Sequence, residues 1–318
     1  MNPTPKDVAA SAPIVSVIIP AYNAAEYISS ALDSIFSQTL IDYEAIVIND
    51  GSPDTSQLEQ ALTPYLSRIV YLKQENLGAA AARNAGLRIA RGRFVAFLDA
   101  DDFWLPDYLT SQIGFLKTSK ADLVYADAEL IGDSQLAGRT YMETAPSAGE
   151  VNAESLLALR CNLITSGVVA RRAPIIEVGM FDEAIRRGHD FDLWLRLAKH
   201  GAAMTYQRNV LLKHRILESG LSGDTASQSQ RALKVLDTIR QRGDLTAREE
   251  STLEHTLEKI QAEIKFERGK ELLRKRSFDE AADAFRSANQ FYGSWKLRLV
   301  QLALHVAPNM LWRIYGRN

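Results

Sequence analysis

The first hundred residues alternate short, continuous apolar runs with segments of helical spacing, and this alternation narrows the choice of fold more than any other feature. Residues 15–19 (VSVII), 44–48 (EAIVI), 69–72 (IVYL) and 93–98 (RFVAFL) are runs of strand length, rich in β-branched and aromatic residues. Segments 24–36, 78–90 and 106–116 have helical composition and spacing. A strand that is apolar on both faces must be covered on both, so such runs separated by helices predict an α/β layer with a mostly parallel sheet. In sheets of this kind ligands gather at the carboxyl ends of the strands.

After Thr118 the pattern loosens into short strands at 123–125 and 168–170 and one strong helix at 190–200. The stretch 219–229 is dense in Gly, Ser and Asp and reads as a linker or exposed loop. Beyond it, 232–239, 253–273 and 278–288 have helical spacing. The segment FDEAADAFRSA resembles one helix of a tetratricopeptide-type hairpin, but no second copy follows at the expected period. The expected organisation is a flexible N-terminus (1–12), an α/β domain (13–222), a linker (223–230) and an all-helical C-terminal extension (231–318).

Composition removes several function classes. The 37 Lys and Arg nearly cancel the 39 Asp and Glu, so no overall basic surface exists for wrapping nucleic acid. The balance is uneven along the chain: residues 226–318 hold 17 basic and 12 acidic side chains, against 20 and 27 before them. Cys161 stands alone, which rules out an intrachain disulfide and a cysteine zinc site. Residues 1–12 lack the apolar core of a secretion signal, and no segment reaches the roughly 18–20 apolar residues needed to span a bilayer. A cytoplasmic location is the expectation.

Three strand ends carry polar clusters. The first run ends in Pro20, Ala21, Tyr22 and Asn23, and the second in Asn49, Asp50, Gly51 and Ser52. The fourth ends in Asp99, Asp101 and Asp102, three carboxylates within four residues that repel one another when unpaired. A hard divalent cation, magnesium or manganese, would relieve that repulsion. The same residues could instead serve as an acidic cap for the helix that follows Pro106.

Taken together, VSVIIPAYNAAEYISSALDSIFSQT, VINDGSPDTS, NLGAAAARNAGLRIARGRFVAFLDADD and RGHDFDLWLRLAKHG resemble glycosyltransferase family 2, with the GT-A fold, over about residues 15–222. The resemblance implies a Rossmann-like, mostly parallel sheet flanked by helices, and an inverting transfer of sugar from a nucleoside diphosphate sugar, most often a UDP-sugar. By the same resemblance Asp50 hydrogen-bonds the nucleotide base, Pro20, Ala21 and Tyr22 line the nucleoside, and Arg83 sits beside the donor. Asp99 would face the ribose, Asp101 would hold a manganese or magnesium ion on the diphosphate, and Asp190 would be the general base. Asn84, Asp102, Thr165, Ser166, His189, Trp194 and Arg215 are further candidates for donor or acceptor contacts.

Several assignments have a structural alternative. Asp190 and Asp192 could simply cap a helix, Trp194 could be core, and segment 76–86 could be a packed Ala-rich helix. One departure stands out. Where family members commonly carry R-x-H after the catalytic helix, Arg215 is followed two residues on by Leu217, and His214 precedes it, a shift expected to aim that imidazole elsewhere.

The implied partners are a nucleotide-sugar donor and a glycan or lipid-linked acceptor, with no nucleic acid. Two other functions share some of these features, a sugar-phosphate nucleotidyltransferase and a non-catalytic binding protein working through its helical tail. In that tail Trp295, Leu297, Leu299, Val300, Leu302, Leu304 and Val306 form an apolar surface near Lys296, Arg298 and Arg313. It could lie on an anionic membrane, on the inner face of which the protein would be peripheral, or pack on neighbouring helices or a second subunit.

Overall fold

The computed structural model describes residues 12–217 and 225–315. Residues 1–11, most of the expected flexible N-terminus, and 218–224, with the start of the expected linker, lie outside the described residues. The chain divides into two compact units, Met1–Leu156 with Arg160–Leu221, and Ser222–Asn318 with Leu157–Leu159.

The first unit runs β1 (Val15–Ala21), α1 (Ile28–Phe36), β2 (Tyr43–Asp50), α2 (Thr55–Leu62), β3 (Ile69–Gln74), α3 (Ala79–Ile89), β4 (Phe94–Phe97) and β5 (Phe103–Trp104). It continues with α4 (Tyr108–Ser119), β6 (Leu123–Gly132), the short α5 (Tyr141–Thr144) and α6 (Ala153–Leu157), and β7 (Val168–Arg171). It closes with α7 (Arg172–Glu177), α8 (His189–Lys199) and β8 (Met204–Ile216). The strands form one sheet in the order β3-β2-β1-β4-β7-β6-β8-β5. From β3 to β4 every pairing is parallel, as the continuous apolar runs require. Beyond β4 the sheet is mixed: β7 is antiparallel to both β4 and β6, β8 is parallel to β6, and β5 is antiparallel to β8.

The period of two along β1 sorts the core into two layers. Val15, Val17 and Ile19 face a cluster built with Ile28, Leu32 and Ile35 of α1, Leu58 and Leu62 of α2, and Leu109 and Ile113 of α4. Ile18 faces the other way, with Ile46 and Ile48 of β2, Ala80 and Leu87 of α3, and Leu193 and Leu197 of α8. The Ala-rich composition of α3 now has its reason. A Cβ on Gly86 would stand 2.6 Å from Ile18 Cγ2 and 3.1 Å from Ile48 Cδ1, so this helix lies tight on the sheet because its contact positions are small.

The sequence underestimates the later strands. β6 extends to Gly132 and pairs with the 13-residue β8 across irregular register near Tyr125 and Asp127. Its polar positions and this broken ladder hide the period-two pattern that marks a strand.

The second unit consists of α9 (Thr225–Arg242), α10 (Ala247–Arg274), α11 (Phe278–Tyr292), α12 (Trp295–Val306) and α13 (Pro308–Tyr315). Helix α9 begins inside the stretch expected to be a linker. From Thr225 onward that stretch contains no Gly or Pro, Ser and Thr cost a helix only a few tenths of a kcal/mol each, and burial of Leu236 and Ile239 holds α9 in place. Thr246 caps α10 reciprocally with Glu249. The α10–α11 hairpin closes around Phe285, whose ring lies so near Gly269 that a Cβ there would stand 2.8 Å from it. Leu272, Leu273, Ala281, Ala282, Leu304 and Leu311 complete this small core. No helix among the described residues is long and apolar enough to cross a membrane.

Replacing Gly86 by Val should lower the denaturation midpoint of the first unit, with an overpacking cost of about 1–3 kcal/mol. Urea unfolding followed by tryptophan fluorescence would measure it, and an unchanged midpoint would mean that α3 is not held tightly on β1 and β2.

Candidate active site

The turn after β2 builds the first wall. Gly51 takes φ +61°, and a Cβ there would stand 2.5 Å from the Asn76 backbone nitrogen, so no other residue fits without moving the main chain. The buried Asn49 side chain accepts from Ser52 N and donates to Thr55 Oγ1 and Tyr71 Oη. Asn23 N donates to Ser52 Oγ at 2.6 Å, and Ala25 N donates to Asp54 Oδ2 at 2.9 Å. These bonds tie the loop after β1 to the loop after β2 and shape the rim on which Tyr22 stands 52% exposed. Pro20 is half-buried and Ala21 buried behind it.

Asp50 is only 3% exposed. It accepts from Gln74 Nε2 (2.7 Å) and Leu77 N (3.0 Å) on Oδ1 and from Gly78 N (2.8 Å) on Oδ2. A carboxylate has about four acceptor positions, so one remains once this loop is braced. Asp50 therefore fixes the chain entering α3.

Two of the carboxylates after β4, Asp99 and Asp102, are paired. Asp99 forms an ion pair with Arg83 Nη2 of α3. Asp102 is buried and takes bonds from Ser166 Oγ (2.6 Å), Arg215 N (2.8 Å) and His214 Nδ1 (2.9 Å to Oδ2). Ser166, in the tight turn Thr165–Gly167 that leads into β7, also accepts from Asp99 N at 3.1 Å. Arg215 Nε donates to the Asp101 carbonyl, and its guanidinium lies 5.2 Å from the Tyr27 ring centre. The expectation that His214 points away is thus corrected. Alternate residues of β8 share a face, and the β8 ladder carries His214 directly onto Asp102. Burial alone would lower the imidazole pKa, but Asp102 beside it raises it to about 9.

Asp101 differs from its neighbours. Its backbone carbonyl is used, while burial, then the charges of Asp102 and Asp99, push its carboxyl up to about 7. Among the described residues no group of three or more His, Cys, Asp or Glu side chains could hold a metal ion unaided. One strained carboxylate nevertheless fits a magnesium- or manganese-type site, in which a single protein oxygen is supplemented by substrate phosphates and water.

Arg83 links this cluster to the start of α8. It is buried, and its Nη1 donates to His189 Nε2 at 2.6 Å, at the start of α8. Burial, then the charge of Arg83, hold the His189 pKa below its usual value, which keeps Nε2 an acceptor. Next to it, Asp190 accepts from Phe191 N (2.9 Å) and from Thr165 Oγ1 (3.2 Å). The phenol of Tyr141, pushed up to about 12 by burial and by Asp190, marks α5 as a neighbour of that carboxylate that sequence reasoning missed.

Two other candidates have structural duties. Asn84 exchanges two hydrogen bonds with the Phe181 backbone, at 2.8 and 3.0 Å, and donates to Glu183. Trp194 is a core residue rather than a ligand contact, packed against Phe97 and Phe181. Asp192 pairs with Arg196, which also donates to the Val178 and Met180 carbonyls and so pins α8.

The His214–Asp102 pair sets a pH dependence. Because the folded pKa of His214 is above its usual value, the stability it contributes is complete below about pH 6.5 and disappears as the pH rises through 9. His214→Gln should therefore cost about 1.5–3 kcal/mol near pH 6 and much less above pH 9, read from thermal melts across that range. An equal loss at both ends would exclude a charged His214.

The comparisons agree with this geometry. A family model, Glycosyl transferase family 2, matches residues 16–172. Uncharacterized glycosyltransferases of Rickettsia felis and Rickettsia prowazekii are 30% and 33% identical over 207 residues, 64% of this chain. This chain spans 34% and 64% of their respective lengths. The Escherichia coli UDP-Glc:alpha-D-GlcNAc-diphosphoundecaprenol beta-1,3-glucosyltransferase WfaP is 30% identical over 230 residues, covering 71% of this chain and 86% of its own. Among solved structures, Staphylococcus aureus TarS 1-349 in complex with UDP has a TM-score of 0.59 at 18% identity, over 95% of this chain and 90% of that one. The Pyrobaculum calidifontis mannosyltransferase PcManGT, in complex with GDP-Man and Mn2+, has a TM-score of 0.61 at 20% identity, over 99% and 88%. With its first unit in the GT-A fold and a relative matched over most of its length, the chain belongs to glycosyl transferase family 2.

Proposed function

We propose that the chain is an inverting glycosyltransferase that moves a sugar from a nucleoside diphosphate donor to a hydroxyl of a glycan or lipid-linked acceptor. The observation that carries this reading is the chain of contacts Asp99–Arg83–His189. It joins the donor-side strand end to the first turn of α8, where Asp190 stands with acceptor oxygens beside Thr165. The E. coli relative uses UDP-Glc and a diphosphoundecaprenol-linked GlcNAc. We extend the same classes, a UDP-sugar and a lipid-linked sugar, to this chain, working at the cytoplasmic side.

In this mechanism Asp190 removes the proton from the acceptor hydroxyl as its oxygen bonds to the anomeric carbon. The bond from that carbon to the diphosphate oxygen breaks on the opposite face, and its electron pair leaves with the diphosphate. One displacement gives inversion and requires no covalent enzyme intermediate. Asp190 stands in the first turn of α8. His189 and Thr165 hold the start of the helix and the carboxylate in place. Asp101 would hold the divalent cation, which when bound neutralises charge developing on the diphosphate.

Asp190→Asn should reduce kcat with UDP-glucose and a diphosphate-lipid-linked GlcNAc acceptor by about 10²–10⁴-fold. The KM for the donor should stay within a few fold. Wild-type turnover in this variant would overturn the base assignment. Release of pyrophosphate from UTP and a sugar phosphate would point instead to nucleotidyl transfer, and turnover by neither route to a binding protein.

A further inference from the structure

The helical unit presents an apolar stripe that its own core does not use. On α12, Leu297, Val300 and Leu304 turn inward to the core built with Leu272, Leu273 and Phe285. The opposite side exposes Trp295 (65%), Leu299 (53%), Leu302 (60%) and Val306 (76%), and Met310 (65%) adds to it from α13. Spacings of four, three and four residues place the four α12 side chains on one face. In most surface helices such positions are polar, and a stripe of this length marks a surface that meets an apolar phase or a partner.

Its margins identify what it meets. At about 100° per residue, Lys296 falls on one side of the stripe and Arg298 and His305 on the other, all exposed. Arg313 is exposed on α13. No carboxylate side chain follows Asp283 in the sequence, so no acid on α12 or α13 offsets Lys296, Arg298 or Arg313. Helix α13 is fastened to the unit by Trp312, whose Nε1 donates to the Arg274 carbonyl and whose ring lies 3.8 Å from the Arg276 guanidinium. The stripe is therefore displayed on a braced support. Apolar side chains flanked by long cationic ones on both sides match a bilayer surface, where the stems lie along the acyl boundary and the charges reach the phosphates. Trp295, at the start of α12, suits the headgroup level. Symmetric pairing with a second copy would bring like charges together across the stripe with no acid to offset them.

We infer that the α12–α13 face binds the surface of an anionic phospholipid membrane. This goes beyond the transfer reaction and stands on the helical unit alone. The test is flotation of the full chain with vesicles of phosphatidylcholine, with and without added phosphatidylglycerol. Co-flotation should require the anionic lipid and weaken with salt. Leu299→Glu with Leu302→Glu should reduce the bound fraction about tenfold or more, and Lys296→Ala with Arg298→Ala by a similar factor. All four positions are exposed, and circular dichroism melts should match the parent, so lost binding would not reflect unfolding. Absence of flotation with anionic vesicles, or flotation of either double variant equal to that of the parent, would overturn the inference. So would a light-scattering mass of a dimer that Leu299→Glu with Leu302→Glu converts to monomer while vesicle binding is absent throughout.

Discussion

Three carboxylates in four residues at the end of β4 form a local charge problem, and the site is organised around its solution. Asp99 is neutralised by Arg83, which α3 supplies from beneath the sheet. Asp102 is neutralised by His214 and two further donors, brought by β8 and by the turn before β7. Asp101 is held differently: burial and the charges of Asp102 and Asp99 push its carboxyl up to about 7, and the nearby His214 offsets only part of that. The elements that supply compensating charge are distant in sequence, so the cluster can exist only once the sheet has assembled. Asp101, whose pKa is raised by this crowding, is the carboxylate we propose for the cation.

The same chain of pairings reaches the start of α8, where the proposed base stands. Arg83 is buried, and a buried guanidinium must be paired. Its second partner is neutral His189, which accepts a hydrogen bond without adding another charge to a crowded site. Asp190 follows directly, so the packing of α3 on the sheet, set by small residues such as Gly86, also fixes the position of the proposed base.

Much of this was legible in the sequence, and the reason is locality. Continuous apolar runs betray parallel strands because both faces are buried, and strand-end motifs lie within a few residues of those runs. The four strands β1 to β4, the helix bearing Asp190 and the polar clusters could therefore be read directly. The rest depends on pairings that no local pattern records. His214 looked displaced by its spacing from Arg215, yet the β8 ladder carries it to Asp102. Tyr141 lies in a segment without a motif and meets Asp190 only through the fold. Trp194 and Asn84 sit inside motif-like blocks and serve packing and loop anchoring. The linker expected at 223–230 rested on composition, and the buried Leu236 and Ile239 decide that α9 begins at Thr225.

The central claim is that the three strand ends form a nucleotide site completed by a cation at Asp101. Calorimetric titration of the protein with UDP, in the presence and absence of manganese, tests it most directly. The account predicts saturable binding that manganese strengthens by tenfold or more. Binding that is unaffected by manganese, or absent in both conditions, would contradict it.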